Sequence, residues 1–241
     1  MENDKIFIDI NPKKKDIKEI LIWLEEEKNN SGNSFYNNKN IIEKAFEEGN
    51  SIALKKGKKN IGLIIWSDID EIRADIDIFV IHPDYRAQGL GRFYYNETLK
   101  FFKMKGFKAV KLFCSPKESK SFWEKMGFIK LPECGRTENE LTYYTILVDT
   151  ASIENLNMTN KIELWDVEPY EANEQKPKWI WYVKIKDGVL SYPIIQPCNC
   201  NWNLRWSKNG KIIREGKVKY LTNEDFELYF YPFLYIDELQ E

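Results

Sequence analysis

Apolar positions in the first part of the chain follow two rhythms. Ile17, Ile20, Leu21 and Leu24 fall at helical spacing behind Asp16 and Glu19, which read as a capping box opening the helix at Asp16. Residues 29–38 form a polar loop enclosing Phe35 and Tyr36, and a second helix over 40–48 stops at Gly49. A short strand over 5–10 precedes these helices, and strands over 51–56 and 61–67, joined by a turn at 57–60, follow them. Ile76, Ile78 and Val80 then alternate with Asp75, Asp77 and Phe79, the period of a half-buried strand and the third member of an antiparallel run. Pro83 ends that strand because it has no N–H to give a ladder. Tyr95, Leu99 and Phe102 mark a helix closed by Gly106. A buried strand over 109–114 leads to a helix start with Ser115 at the N-cap, Pro116 at N1 and Glu118 at N3. That helix carries Ser119, Phe122, Trp123 and Met126 and ends at Gly127, and a strand over 141–148 follows a loop at 132–139.

From Asp149 to Asn160 the sequence is polar and without period, which reads as a linker. Beyond it, Trp165, Trp179, Trp181, Tyr182, Trp202, Trp206, Tyr229 and Tyr231 sit in alternating runs. The clearest strands are 178–185, 202–208 and 227–236, and Asn209-Gly210 predicts a type I′ hairpin turn into 211–215. Two domains are therefore expected: an α/β (α+β) domain over 1–150 and a small, aromatic-rich antiparallel β domain over 158–241.

The turn behind Pro83 carries the chemistry. Arg86-x-x-Gly89-x-Gly91 opens a helix, and two glycines there let backbone N–H groups approach a ligand closely. The positive helix end favours an anion, by ~0.3–1 kcal/mol per charge. The dinucleotide fingerprint fails because Tyr94 stands where its third glycine belongs, and no Gly-Lys-Ser/Thr follows for a P-loop. Ile81-x-Pro83, the glycine turn and Phe122-Trp-Glu-Lys-Met-Gly-Phe128 together resemble the GNAT family of N-acetyltransferases.

That resemblance implies a mixed, mostly antiparallel sheet flanked by helices and splayed to admit acetyl-CoA. It implies that backbone groups of Phe79, Val80 and Ile81 pair with pantetheine, and that Arg86, Ala87, Gln88, Gly89, Leu90, Gly91 and Arg92 hold the pyrophosphate. The helix–loop–helix at the start would cover the acceptor, making Tyr36 a candidate substrate contact. A carboxylate on the third strand could take the proton of the acceptor amine, and the family spacing lands on Asp75, with Asp77 as the second candidate. In the family a tyrosine near the middle of the 115–127 helix can protonate the departing thiolate. Here Trp123 stands there, with no titratable proton, and reads as an aromatic packed on the cofactor or the sheet.

Composition narrows the class. The chain has 241 residues, 43% hydrophobic and 15% aromatic, enough for packed cores. A formal charge of −2 argues against nucleic acid and membrane surfaces as partners. No apolar run is long enough to span a bilayer, and the first residues lack the apolar core of a signal peptide. Four scattered cysteines suggest reduced thiols in a cytoplasmic protein. One histidine and no paired ligand set leave no metal site to expect. The activity that the resemblance implies is acetyl transfer from acetyl-CoA to a primary amine of a small molecule, peptide or protein. The alternative is an acyl-CoA-binding regulatory or interaction module with little catalysis. Aromatics in excess of a small interior suggest that the β domain docks on the first domain, and a protein partner or a second copy of the chain is the further expectation for it.

Overall fold

The structure is a computed structural model and describes residues 5–68, 72–132, 140–151, 160–221 and 233–239. The chain divides into two compact units: Met1–Ile129 with Leu141–Leu147, and Lys130–Glu140 with Val148–Glu241.

In the first unit, β1 (Ile6–Asp9), β2 (Ser51–Lys56), β3 (Lys59–Asp68) and β4 (Arg73–Ile81) follow one another antiparallel across the sheet. β5 (Ala109–Phe113) then adds parallel to β4, β7 (Thr142–Ile146) adds antiparallel to β5, and the two-residue β6 (Ile129–Lys130) lies at the edge. β4 and β5 pair only from Arg73–Ala109 to Ile76–Leu112. Beyond Ile76 the two strands have no common ladder, and this fork is the feature on which the site is built.

Two helices cover each face. α1 (Lys14–Ser31) and α2 (Lys39–Glu47) bury Ile17, Ile20, Leu21, Leu24 and Ile42 against Leu63, Ile65, Ile78 and Val80. α3 (Leu90–Lys105) and α4 (Lys120–Lys125) pack Tyr94, Tyr95, Phe102 and Trp123 against Ala74, Ile76 and Val110 on the other face. Burying a side chain of this size is worth about 1.5–3 kcal/mol, so these two layers dominate the stability of the unit. Gly62 is required where β3 passes over α3: a Cβ there would meet the Val80 carbonyl oxygen at 3.0 Å and the Tyr94 ring at 3.1 Å.

Two helix starts differ from expectation. α1 begins at Lys14, so Asp16 is its N3 residue, and its carboxylate accepts from the Lys13 N–H at 2.8 Å. Asp16 also accepts from the Asn60 side-chain amide, and this long-range bond holds it inside the first turn. α4 begins at Lys120, because Pro116 is extended (φ −68°, ψ 159°) and a 3-10 turn over Lys117–Ser119 intervenes. The Ser115–Pro116 peptide is cis.

The second unit contains two antiparallel sheets. β13 (Lys211–Lys217), β12 (Asn203–Lys208), β8 (Asn160–Leu164) and β9 (Trp179–Val183) form one; β10 (Ile185–Lys186), β11 (Val189–Pro197) and β14 (Phe233–Glu238) form the other. Single-turn helices α5 (Pro169–Ala172) and α6 (Val218–Leu221) punctuate them. Ile162, Trp181, Leu190, Ile194, Trp206 and Leu234 share one core between the sheets. The Asn209-Gly210 turn has both residues at positive φ (53° and 76°), as its type I′ reading requires. Most of the strand expected over 227–236 lies outside the described residues. Among the described residues no helix is long and apolar enough to cross a membrane.

Candidate active site

The turn after β4 is assembled by its own backbone. A 3-10 turn over Pro83–Tyr85 follows β4, with Tyr85 N–H bonded to the His82 carbonyl at 2.9 Å. Ala87 (φ 59°) and Gly89 (φ 78°) both take the left-handed conformation, and Gly89 is the N-cap of α3 with no side-chain cap. Among the described residues the N–H groups of residues 87–92 have no backbone partner, which leaves a nest of donors at a positive helix end. Gln88 closes the turn from outside, its amide donating to the Asp84 carbonyl at 2.8 Å. Leu90 packs into the α3 core.

A cavity of about 540 Å3 runs from this turn into the fork, lined by Phe79, Ile81, Tyr85, Arg86, Ala87, Gly89, Gly91, Arg92, Phe122, Lys125 and Met126. Its charged residues are two arginines and one lysine, with no carboxylate among them. Backbone polarity fits the same use. His82 N–H bonds to the Ile61 carbonyl at 2.9 Å, and antiparallel alternation therefore turns the groups of Val80 toward β3 and those of Phe79 and Ile81 toward the fork. The Ile81 carbonyl is occupied by Arg86 Nε at 2.7 Å.

Three of the expected cofactor residues thus have other surroundings. Val80 buries its side chain under α1 and α2. The side chain of Arg86 is bound to Ile81 and to Glu27, at 2.6 Å from the latter. Trp123 is 5% exposed, with Phe79, Tyr95, Phe122 and Phe128 rings about it at centroid distances of 4.9–5.6 Å, so it is a core residue. The neighbouring Phe122 lines the cavity instead.

On the α1/α2 face of the sheet a row of polar side chains crosses the strands. Ser67, Asp75, Lys111 and Tyr144 are successive cross-strand partners. Asp75 is held by Arg73 Nε at 2.6 Å and Lys111 Nζ at 3.0 Å, so both its oxygens face cations. Asp77 differs. Ile78 faces Ile65 but Ile76 faces Trp66, so Asp77 is the extra residue of a β-bulge, one position beyond the last β4–β5 pair. Ser67 Oγ donates to Asp77 Oδ2 at 2.8 Å. Desolvation by its surroundings and then the charge of Asp75 push the Asp77 carboxyl above the usual range, against the Ser67 bond and Lys111. The residue is nonetheless exposed, so a substrate can reach it.

Tyr36 sits in a 3-10 turn over Phe35–Asn38, half-buried against the α1/α2 core, with Lys28 Nζ 5.6 Å from its ring centre. The Glu25 carboxylate raises the pKa of its hydroxyl. His82 is not placed as a base for this cleft: burial lowers its pKa and its Nδ1 accepts from the Asp84 N–H at 3.3 Å.

Sequence reasoning missed Tyr85, Phe122, Lys125 and Met126 in the cavity wall. Phe122, Lys125 and Met126 belong to the quoted Phe122–Phe128 motif, and a cleft-facing stripe at i, i+3 and i+4 was the available signal. The neutralisation of Asp75 by Lys111 depends on parallel register and had no signal in the sequence.

Residues 16–128 match the model of the Acetyltransferase (GNAT) family. This stretch is of the GNAT family. The match ends before the second unit, which no family model covers. Among solved structures, the GNAT segment is similar to the PaiA N-acetyltransferase of Thermoplasma acidophilum in complex with coenzyme A (17% identity, 58% of this chain and 96% of that one, TM-score 0.46). It is also similar to the ribosomal-protein-S18-alanine N-acetyltransferase of Escherichia coli (16%, 64% and 99%, TM-score 0.45). A GNAT family N-acetyltransferase of Escherichia coli in complex with CoA gives 18% identity over 61% of this chain and 82% of that one, TM-score 0.48. No curated protein matches the sequence.

Proposed function

We propose that this chain transfers the acetyl group of acetyl-CoA to a primary amine of a small molecule or a protein. The observation that carries the reading is the acid-free cavity joining the unpaired N–H groups of residues 87–92 to the β4–β5 fork. Those N–H groups, with Arg92 and Lys125 nearby, would hold the pyrophosphate; the outward backbone of Phe79 and the Ile81 N–H would hold the pantetheine amides. Acetyl-CoA supplies a thioester carbonyl open to attack by an amine.

An acceptor ammonium must lose a proton before it attacks, and Asp77 is the group assigned to take it, directly or through one water. A carboxyl with a raised pKa is a stronger base than an ordinary one, and Asp77 lies one position beyond the last β4–β5 pair, at the start of the fork. Asp75, the residue reached by family spacing, then acts as the counter-charge for Arg73 and Lys111. Tyr36 and Glu25 would border the acceptor on the α1 side.

A second reading draws on Trp123. With its ring locked in the core, α4 presents no tyrosine to the cleft, which favours acyl-CoA binding with little turnover. Thiol release from acetyl-CoA, followed with a disulfide reagent across a panel of amines, peptides and aminoglycosides, separates the two. Amine-dependent release is expected. Tight CoA binding by calorimetry with no release from any amine would leave the binding module, and no CoA binding would overturn both.

A further inference from the structure

We infer that Glu27, a residue of the acceptor-side helix α1, is a positioning residue for the anion loop and acts through Arg86. The inference rests on the reading that the N–H groups of residues 87–92 hold a phosphate. Arg86 precedes the donor nest, yet its side chain makes two internal bonds: Nε to the Ile81 carbonyl at 2.7 Å and one terminal nitrogen to Glu27 Oε1 at 2.6 Å. Glu27 is the more enclosed partner, its side chain 11% exposed against 47% for Arg86. A carboxylate so enclosed is poorly hydrated, and the guanidinium is the partner that answers its charge.

The consequence is mechanical. Ala87 and Gly89 at positive φ give the loop its shape, and the Gln88 amide braces it from the outer side. The Arg86 bracket fixes where the loop leaves β4, and so where the N–H groups of residues 87–92 point. Glu27 fixes the bracket. The helix that supplies it also holds the acceptor loop, through Ser34 Oγ bonded to the Leu24 carbonyl at 2.7 Å and Lys28 over the Tyr36 ring. One helix therefore anchors both the cofactor turn and the loop beside Tyr36.

The test uses the full chain and coenzyme A itself. Glu27→Gln keeps the volume and removes the charge, and is expected to weaken CoA binding about three- to tenfold by calorimetry. KM for acetyl-CoA rises by the same factor while kcat is kept, and the melting temperature without ligand moves little. Arg86→Gln should have a similar effect, and adding Glu27→Gln to it should cost nothing more, because the two act as one bracket. Glu27→Asp should recover part of the loss. Unchanged or tighter CoA binding in Glu27→Gln overturns the inference, since tighter binding would mean that Glu27 competes with phosphate for Arg86. Additive losses in the double variant overturn it too. Absence of CoA binding in the unmodified chain would instead defeat the assignment of the loop as a phosphate site.

Discussion

The ring of Phe122 lies against Gly91, so that a Cβ built on the glycine would stand 3.2 Å from Cε2 and 3.3 Å from Cζ. Gly91 has no positive φ, so its smallness serves this contact and not the backbone. Phe122 lines the cavity and is half-buried, and the ring can give only by moving into the cleft or against Phe79 and Trp123. Gly91→Val should therefore weaken CoA binding by roughly tenfold, or about 1.4 kcal/mol, in a protein that still folds. Calorimetry alongside a thermal melt checks both parts.

Gly89 has open space around it and sits at φ 78°, so its role is conformational. Gly89→Ala should cost the strain of a left-handed alanine, about 1–2 kcal/mol, and weaken CoA modestly. Gly89→Glu adds a negative charge among the donors proposed to hold the pyrophosphate and should abolish binding while the fold persists. Equal CoA affinity in the folded Glu variant would move the pyrophosphate elsewhere.

The shape of the turn between β4 and α3 was readable because it is local: Pro83, Arg86, Gly89 and Gly91 specify it with little help from the rest of the chain. The alternation of β4 was equally readable, but not the bulge at Asp77, since an extra residue shows only against the partner strand. That one-residue slip separates Asp75 from Asp77, leaving the first among cations and the second at the fork. Trp123 and Phe122 were hard for a related reason. α4 starts later than its capping residues suggested, and adjacent aromatics on a short helix differ by about 100° in direction, so sequence alone does not say which one meets the cleft. In the second unit the Asn209-Gly210 hairpin was legible from two residues, whereas the pairing of β8 with β12 joins segments far apart in sequence.

Asp77→Asn should lower kcat/KM for the amine by about 10²-fold near neutral pH, the usual worth of a positioned base. The deficit should shrink at high pH, where more acceptor is already neutral. Asp75→Asn should instead disturb Arg73 and Lys111 and lower stability, and, by removing a charge that helps raise Asp77, should move the acidic limb of the pH–rate profile to lower pH without removing the base. The sign for stability is opposite at Asp77: its folded pKa is raised, so its charged form costs stability as pH rises through that value. Asp77→Asn should thus melt somewhat higher than the parent at neutral pH, with the gap closing in acid. A pH–rate profile unaltered in Asp77→Asn would remove this residue from the chemistry.

Replacing Trp123 by the tyrosine found in the family should not restore an acid. The site is 5% exposed among four rings, so Trp123→Tyr leaves a void and should lower stability by about 1–3 kcal/mol without raising turnover. Phe122→Tyr places a hydroxyl on the ring that faces the cavity. If departure of the thiolate limits the rate, Phe122→Tyr should raise kcat, most clearly below the thiol pKa of ~8.5, where an unprotonated leaving group is least favoured. Initial rates across pH for the two variants decide between the positions.

The last prediction concerns the frame that holds α1 over the sheet. Asp16 is 4% exposed and receives the Lys13 N–H, the Asn60 amide and Lys55, whose ammonium lies 3.2 Å from it and 2.8 Å from Asp9. Burial alone would raise the Asp16 pKa, but these three partners outweigh it and hold the carboxyl below its usual range. A depressed pKa means stability that is present above the unfolded value near 3.9 and lost as pH falls through the folded one. Asp16→Asn should cost about 2 kcal/mol at neutral pH, because Lys55 and the helix start lose a charged partner inside the protein. The cost should diminish as pH falls through the depressed folded pKa, where the parent carboxyl is itself protonated. Urea unfolding of the two proteins at neutral pH and in acid measures both ends. A deficit of the same size at both would show that Asp16 contributes by shape and hydrogen bonding, and that its charge is not what fixes α1 to β2 and β3.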